Sequence, residues 1–248
     1  MRIGLLHPGE MGSAIGAALR ANGHEVLWAS EGRSEGTARR AADFRDVGSA
    51  EEMARSAEVI ISVCPPHAAR EVAQSVAGFE GTYLDANAIS PATAREIGGL
   101  DGGIIGPPPR EGSTTRLYLS GPGAQNVAGL FAGTAVDARV LGDEIGAASA
   151  LKMTFAAWSK GSAAMLLAIR EVARTEGVED ALLDTWRAWI PELFQEWEHA
   201  SSAADRKGWR WVGEMEEIAD TFAAAGQPDG FHRAAADVFR ASRRPESS

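Results

Sequence analysis

The chain has little of what several chemistries require. A single cysteine, Cys64, stands among 248 residues, which excludes a disulfide framework and a cysteine metal cluster. Basic residues are outnumbered, 24 lysines and arginines against 34 aspartates and glutamates, for a formal net charge of -10. Neither nucleic acid nor an anionic membrane is therefore expected as the main partner, although a local pocket can still be positive enough for a small anion. The short apolar run after Arg2 cannot serve as a signal peptide or a membrane span, and a soluble, reducing, cytoplasmic setting is expected. No HExxH and no clustered carboxylate set occurs, so metal-dependent hydrolysis lacks support and no metal is expected. Repeats, low-complexity tracts and flexible linkers are missing too.

What is there is an alternating pattern. Up to about Leu141, the short runs RIGLL, EVLW, VIISV, TYLD, GGII, RLYL and ARVL read as strands by length and by β-branched or bulky content. Helix signals separate them. Ser49 with Glu52 makes a capping box, and Ser90–Pro91 fits an N-cap followed by proline at the first helical position; Pro66 after VIISVCP reads the same way. Strands alternating with helices predict a parallel sheet covered on both faces. From Gly146 the texture changes. No proline occurs between Pro122 and Pro191. The segment from Gly146 to Gly177 reads as one helix of about thirty residues, roughly 45 Å long, with Arg170 and Arg174 late in it as the helix dipole favours. EDALLDTWRAWIPELFQEWEHA, broken or bent at Pro191, WRWVGEMEEIADTFAAAG and GFHRAAADVFRAS read as further helices, and the tail RRPESS as disordered. The fold class is thus α/β, a Rossmann-type doubly wound, mostly parallel sheet over residues 1–143, followed by an all-α domain over 144–248, with the two parts expected to pack closely.

A dinucleotide loop needs three small residues between a strand and a helix: one for the tight turn, one to admit the pyrophosphate, one for close helix–strand packing. In LLHPGEMG the spacing selects His7, Gly9 and Gly12. The second and third roles are filled and the first is not. RIGLL before and MGSAIGAALRANG after supply the strand and the helix, whose N-terminus offers free N–H groups to a phosphate. At the end of the second strand, where an NAD enzyme places an acid for the ribose, stand Ser30 and then Glu31. Arg33 and Ser34 follow, and a guanidinium with a hydroxyl suits a 2′-phosphate. NADP is therefore expected as cofactor, with NAD left open by Glu31; a solvated loop arginine would give the same pattern.

Between Ile145 and Ser159 the only charged residue is Lys152. So uncharged a helix is expected to be mostly buried, with the ammonium facing a cavity, ligand or partner. Desolvation there would lower its pKa toward the range useful for proton transfer. A lysine snorkelling from a packed helix reads identically, so the spacing leaves both open. Ala156 and Ser159 are expected on its face, and Lys160, a turn further on, is expected to reach solvent.

These segments resemble the β-hydroxyacid dehydrogenase superfamily, which includes the 6-phosphogluconate and 3-hydroxyisobutyrate dehydrogenases and the imine reductases. HPGEMG resembles its GLGxMG, with His7 for the first glycine. TYLDANAISPAT resembles DxSTxxP, with Asn87 and Ala88 for serine and threonine. DGGIIGPPP resembles DAPVSGG, with Ile105 for its serine. GAASALK resembles GxGxxxK, with Ala148 for the second glycine; its catalytic lysine falls on Lys152, and its asparagine four residues later on Ala156. GGIIGPPP, RLYLSGP, GAASALKM and WRWVGEMEEIA together are similar to a subgroup with a phosphogluconate-dehydrogenase-like nucleotide domain and its own helical C-terminal domain.

The resemblance implies an NAD(P)-dependent oxidoreductase that transfers a hydride between nicotinamide and a small hydroxy or keto, β-hydroxyacid-like substrate, with Lys152 as proton donor and acceptor. The expected cofactor-binding residues are His7, Pro8, Gly9, Glu10, Met11, Ser30, Arg33, Ser34, Cys64, Pro65 and Asn87. Those expected at the substrate are Ile105, Gly106 and Pro107, on a loop stiffened by three prolines, with Glu214 beside the stripe Trp211, Met215 and Ile218, and His232. An imine reductase, and a catalytically inactive NADP-binding sensor or scaffold, are the alternatives. A homodimer through the tryptophan-rich helical domain is expected, with a small-molecule substrate and neither nucleic acid nor membrane as partner.

Overall fold

The apolar runs become strands because they are too short and too evenly buried for helices, and each is flanked by a turn or a capped helix. The structure, a computed structural model, describes residues 1–241; the tail RRPESS lies outside the described residues. In chain order the first part comprises β1 (Arg2–Leu6), α1 (Glu10–Ala21), β2 (Glu25–Trp28), α2 (Glu35–Arg40), β3 (Arg45–Asp46), α3 (Ala50–Ser56) and β4 (Val59–Ser62). A 3-10 turn (Pro66–Ala68), α4 (Ala69–Gln74), β5 (Thr82–Asp85), α5 (Pro91–Ile97), β6 (Leu100–Ile105), β7 (Thr115–Ser120), α6 (Ala124–Gly129) and β8 (Val136–Gly142) follow. The two serine caps form, but the Glu52 half of the capping box does not: the Glu52 carboxylate accepts from Arg55 Nε at 3.1 Å, and the Ser49 N–H donates to the Val47 carbonyl at 3.1 Å. The Ser49 hydroxyl accepts from the Glu52 N–H at 3.1 Å, and the Ser90 hydroxyl from the Thr93 N–H at 3.2 Å. The two-residue β3 has no apolar run to announce it.

The eight strands form one sheet in the order β3-β2-β1-β4-β5-β6-β7-β8. Every neighbouring pair is parallel except β6 and β7. β1 therefore lies between β2 and β4, and chain order reverses there: this is the switch point at which an open α/β sheet leaves a crevice beyond its carboxyl ends. Runs such as VIIS are buried on both sides, as a parallel strand covered by helices must be. One core layer gathers Ile3, Leu5, Ile15, Leu19, Ile61 and Leu84, and the other Leu6, Met53, Ile60 and Val72.

The helical part contains α7 (Ala147–Thr175), α8 (Glu179–Trp189), α9 (Pro191–Ala224) and α10 (Gly230–Arg240). Pro191 starts α9 after a break at Ile190, whose backbone is not helical (φ -145, ψ 65). The two segments read as separate helices on either side of Ser201 are one 34-residue helix. The intervening SSAADRKG carries no proline, and Gly208, which could have stopped the helix, instead lies buried within it. The chain divides into two compact units within α7, Met1–Lys152 and the residues from Met153 onward. The second unit has its own apolar clusters: Leu166, Leu183, Trp186 and Trp197 pack together, and the Trp211 and Phe239 rings meet edge to face at 5.0 Å. Among the described residues no helix is long and apolar enough to cross a membrane.

Candidate functional site

Because β1, β2, β4, β5 and β6 are parallel, the loops that follow them emerge on the same edge of the sheet. That edge gathers His7, Pro8 and Gly9 after β1, Ser30, Arg33 and Ser34 after β2, Cys64 and Pro65 after β4, Asn87 after β5, and Gly106 and Pro107 after β6, whose last residue is Ile105.

The β1–α1 loop has the form of a phosphate cradle. His7 has φ 63, the only positive φ at a non-glycine position among the described residues. It thus adopts the left-handed backbone that the turn demands and that glycine adopts freely. The missing first glycine has changed the residue and kept the turn. A Cβ at Gly12 would stand 2.8 Å from the His7 carbonyl oxygen, whereas one at Gly9 would meet nothing within 4 Å. Gly12 thus permits the close packing of α1, and Gly9 leaves an open approach. Helix α1 starts at Glu10 with no side-chain cap, so its first N–H groups are available to an anion. Glu10 itself is exposed, and Met11 packs against the sheet core. These residues fit a pyrophosphate.

Arg33 reaches back from the β2 loop, and its Nη1 donates to His7 Nε2. The Arg33 Nε is buried without a hydrogen bond, and burial lowers the guanidinium pKa. Burial, and secondly the Arg33 charge, pushes His7 down to about 4, so the imidazole is neutral near neutral pH. Arg40 Nε donates to the Pro8 carbonyl at 3.3 Å, a second guanidinium on the same loop that sequence reading missed. The Ser34 hydroxyl is occupied locally as the cap of α2, where it accepts from the Thr37 N–H. Glu31 is exposed.

After β4 and β5 the polar groups brace one another. Asn87 is buried; its Oδ1 accepts from the Cys64 N–H at 2.5 Å and its Nδ2 donates to Ser62 Oγ at 3.1 Å and to Asp85 Oδ2 at 2.9 Å. Its amide is committed to holding two strand ends in register. Burial raises the Asp85 carboxyl to about 7 against the hydrogen bonds from Asn87, and raises the Cys64 thiol to about 12, so Cys64 is an unreactive thiol at neutral pH. Gly106 has φ 122, a conformation that a side chain would strain. The Pro107 carbonyl accepts from Thr115 Oγ1 at 2.5 Å, which fixes the loop to β7.

Helix α7 is attached to the sheet by a residue that its sequence neighbourhood does not reveal. Asp101, buried in β6, accepts through Oδ2 from the Gly146 N–H (3.0 Å), the Ser149 N–H (2.9 Å) and Ser120 Oγ (3.0 Å), and through Oδ1 from Ser149 Oγ (2.5 Å). The Ala148 N–H in turn donates to Ser120 Oγ at 3.1 Å. A carboxylate from another strand therefore caps the N-terminus of α7, where both dipole and orphan N–H groups favour it. Beyond it the helix runs along β6: a Cβ at Gly103 would lie 2.6 Å from the Ala148 carbonyl oxygen and 3.2 Å from Lys152 Cβ. Asp101 meets residues 146 and 149 while Gly103 meets 148 and 152, so α7 travels in the strand direction and carries Lys152 toward the carboxyl edge. Lys152 is half-buried. Burial, with no neighbouring charge contributing, lowers its pKa to about 8.

Three expectations about α7 and its partners need correction. The uncharged stretch around Lys152 is not mostly buried: Ala156 is, but Thr154, Phe155, Trp158 and Ser159 are exposed. Lack of charge there marks an uncharged exposed face as well as a buried one. Ser159 accordingly does not share the buried environment of Lys152. Lys160 does not reach solvent but pairs with Glu214, both side chains less than a fifth exposed, because α9 presents an acid opposite it.

In the second unit, Glu214 is thus a counter-ion on α9. His232 on α10 is buried, its ring 4.3 Å from that of Phe222 and its Nδ1 without a partner, and burial lowers its pKa. Met215 and Ile218 are fully buried core.

Comparison with known proteins agrees with this geometry. Residues 2–86 match the family described as NADP oxidoreductase, coenzyme F420-dependent, and residues 173–242 match a domain of unknown function, DUF1932. The chain is 30% identical over 200 residues to an uncharacterized 28.5 kDa protein of Methanothermus fervidus, covering 74% of this chain and 75% of that protein. Among solved structures it resembles the conserved protein MTH1747 of unknown function, described as structurally similar to 3-hydroxyacid dehydrogenases, with 28% identity, TM-score 0.69 and 97% and 96% of the two chains covered. The 3-hydroxyisobutyrate dehydrogenase of Salmonella typhimurium shares the fold at 18% identity, TM-score 0.72, over 97% and 93% of the chains.

Proposed function

The chain belongs to the β-hydroxyacid dehydrogenase superfamily, to the subgroup that joins an NADP-binding Rossmann domain to a DUF1932 helical domain, and on that premise we propose that it is an NADP-preferring oxidoreductase acting on a small hydroxy or keto substrate. The cofactor, when bound, supplies or accepts the hydride. His7, Pro8, Gly9 and the first turn of α1 would hold its pyrophosphate, and Arg33 its 2′-phosphate. Lys152 gives a proton from Nζ to the substrate oxygen during reduction and takes it back during oxidation; in its cationic form it also polarises a carbonyl. Gly106 and Pro107 border the substrate, held by the Thr115 hydroxyl.

The observation that supports this reading best is the half-buried ammonium of Lys152 with its pKa brought down to about 8, on a helix fastened to β6 by Asp101. A snorkelling lysine has no need of such a fixed helix start. Replacement of Lys152 by Ala is expected to lower turnover of a responsive β-hydroxyacid or ketoacid at least a hundredfold and to leave NADPH binding unchanged. Full turnover by that variant would remove the lysine from the mechanism. Cyclic imines offered with NADPH separate an imine reductase from a dehydrogenase, and NADPH uptake with no oxidation across hydroxyacids, ketoacids and imines would favour a sensor.

The same reading includes a homodimer through the helical domain. Phe155, Trp158, Met165, Ile169 and Val172 of α7 are exposed and follow one another at mostly three- and four-residue steps, the spacing of a helix seam that a second copy can cover.

A further inference from the structure

Any residue with a Cβ is disfavoured in the left-handed backbone that His7 adopts, and glycine would take the turn without cost. Among the described residues the imidazole makes one hydrogen bond, and that bond goes to Arg33 across two loops. Arg33 has no carboxylate partner among the described residues, its Nε is buried and unpaired, and the neighbouring Glu31 is exposed and makes no ion pair with it. The guanidinium is therefore an uncompensated cation whose position rests on His7. Arg40, likewise without an ion pair among the described residues, adds a second positive group on the Pro8 carbonyl. Two guanidinium groups without acids, gathered at one strand-end loop, suit a dianion better than a ribose hydroxyl.

We propose that His7 is a positioning residue that holds Arg33 for the 2′-phosphate of NADP(H), so that cofactor choice is set by a histidine–arginine pair bridging the loops after β1 and β2. The inference rests on the oxidoreductase reading for the presence of a dinucleotide. The imidazole can accept from Arg33 only while it is neutral, and burial keeps it so to well below neutral pH. The tautomer that accepts at Nε2 carries its proton on Nδ1, a buried atom with no partner among the described residues, which is left to give to an oxygen of the 2′-phosphate.

The test is a set of fluorescence titrations at pH 7.5 with NADPH and NADH on the full chain, its His7→Gly and Arg33→Ala variants and the double variant. His7→Gly keeps the turn and removes the imidazole, so folding is not at risk. It is expected to weaken NADPH about tenfold, about 1.4 kcal/mol, while changing NADH less than about twofold. Arg33→Ala is expected to do the same, and the double variant to be no worse than Arg33→Ala alone, because both changes remove one interaction. A purely structural histidine would move both nucleotides together. An unchanged NADPH-to-NADH ratio in His7→Gly, an equal effect on both nucleotides, or additive losses in the double variant would overturn the pairing while leaving the oxidoreductase reading intact. Failure of the unaltered chain to take up either nucleotide would overturn both.

Discussion

In the proposed reaction two side chains matter most, and in both it is burial that sets their state. Lys152 loses its proton near pH 8 in the folded chain and near the ordinary lysine value when unfolded. Between those values the unfolded chain binds more protons, so stability rises with pH across that window; below it both states are charged and the folded chain bears the cost of the half-buried ammonium. Lys152→Met is therefore expected to stabilise the protein at pH 7, by about 1–3 kcal/mol, with the gain shrinking toward pH 10; denaturant midpoints at the two pH values check this. In kinetics the same titration gives opposite signs. kcat/KM for reduction should fall as pH rises through about 8, when the donor proton is lost, and kcat/KM for oxidation should rise. His7, pushed down to about 4, has its own window: from the ordinary histidine value down to about 4 the unfolded chain takes up a proton that the folded chain refuses, so stability is lost as pH falls through that range. Lys152 was legible in the sequence because it is alone among uncharged neighbours. The Arg33–His7 bond was not, since 26 residues separate the two and only the return of the chain to β2 beside β1 makes them neighbours.

At the level of elements, the decisive junction is α7 upon β6. Four hydrogen bonds converge on one buried carboxylate there. Asp101→Ala would leave those donors without an acceptor and is expected to cost roughly 3–5 kcal/mol, the scale for removing one member of a buried charged network, measured as a shift in denaturant midpoint. Gly103 matters through space rather than conformation. A methyl at Gly103 would press on the Ala148 carbonyl at 2.6 Å, and backbone cannot swing aside as a side chain can. Gly103→Ala should destabilise by about 1–3 kcal/mol and reduce turnover, because the helix start that holds Lys152 is displaced. Gly129→Ala, at the end of α6 with nothing within 4 Å, is the control, expected neutral or stabilising by up to about 1 kcal/mol. Helix starts with a local cap, at Ser49 and Ser90, could be read from sequence because donor and acceptor are three residues apart. The cap of α7 could not, because its acceptor lies 45 and 48 residues away.

For the whole molecule, the open question of assembly rests on the second unit. Trp158 is 76% exposed and Val172 63%, and water around such a stripe is released if a second copy covers it. Light scattering is expected to give about twice the chain mass of 26.1 kDa, and Trp158→Lys with Ile169→Glu to return it to a single chain. A stable monomer of the unaltered protein would contradict the dimer.

By itself the sequence determined the alternation of strands and helices, the parallel sheet, the dinucleotide turn, the proline break at Pro191 and the identity of the lone lysine. All of these rest on residues within a few positions of one another or on periodic burial. Tertiary structure alone decided that Asp101 caps α7, that Asn87 is spent bracing two strand ends, that Lys160 meets Glu214 and that His7 supports Arg33. Each of those joins residues far apart in the chain, and their pairing is fixed only when the strand order of the sheet and the crossing of the helices bring them within hydrogen-bonding distance.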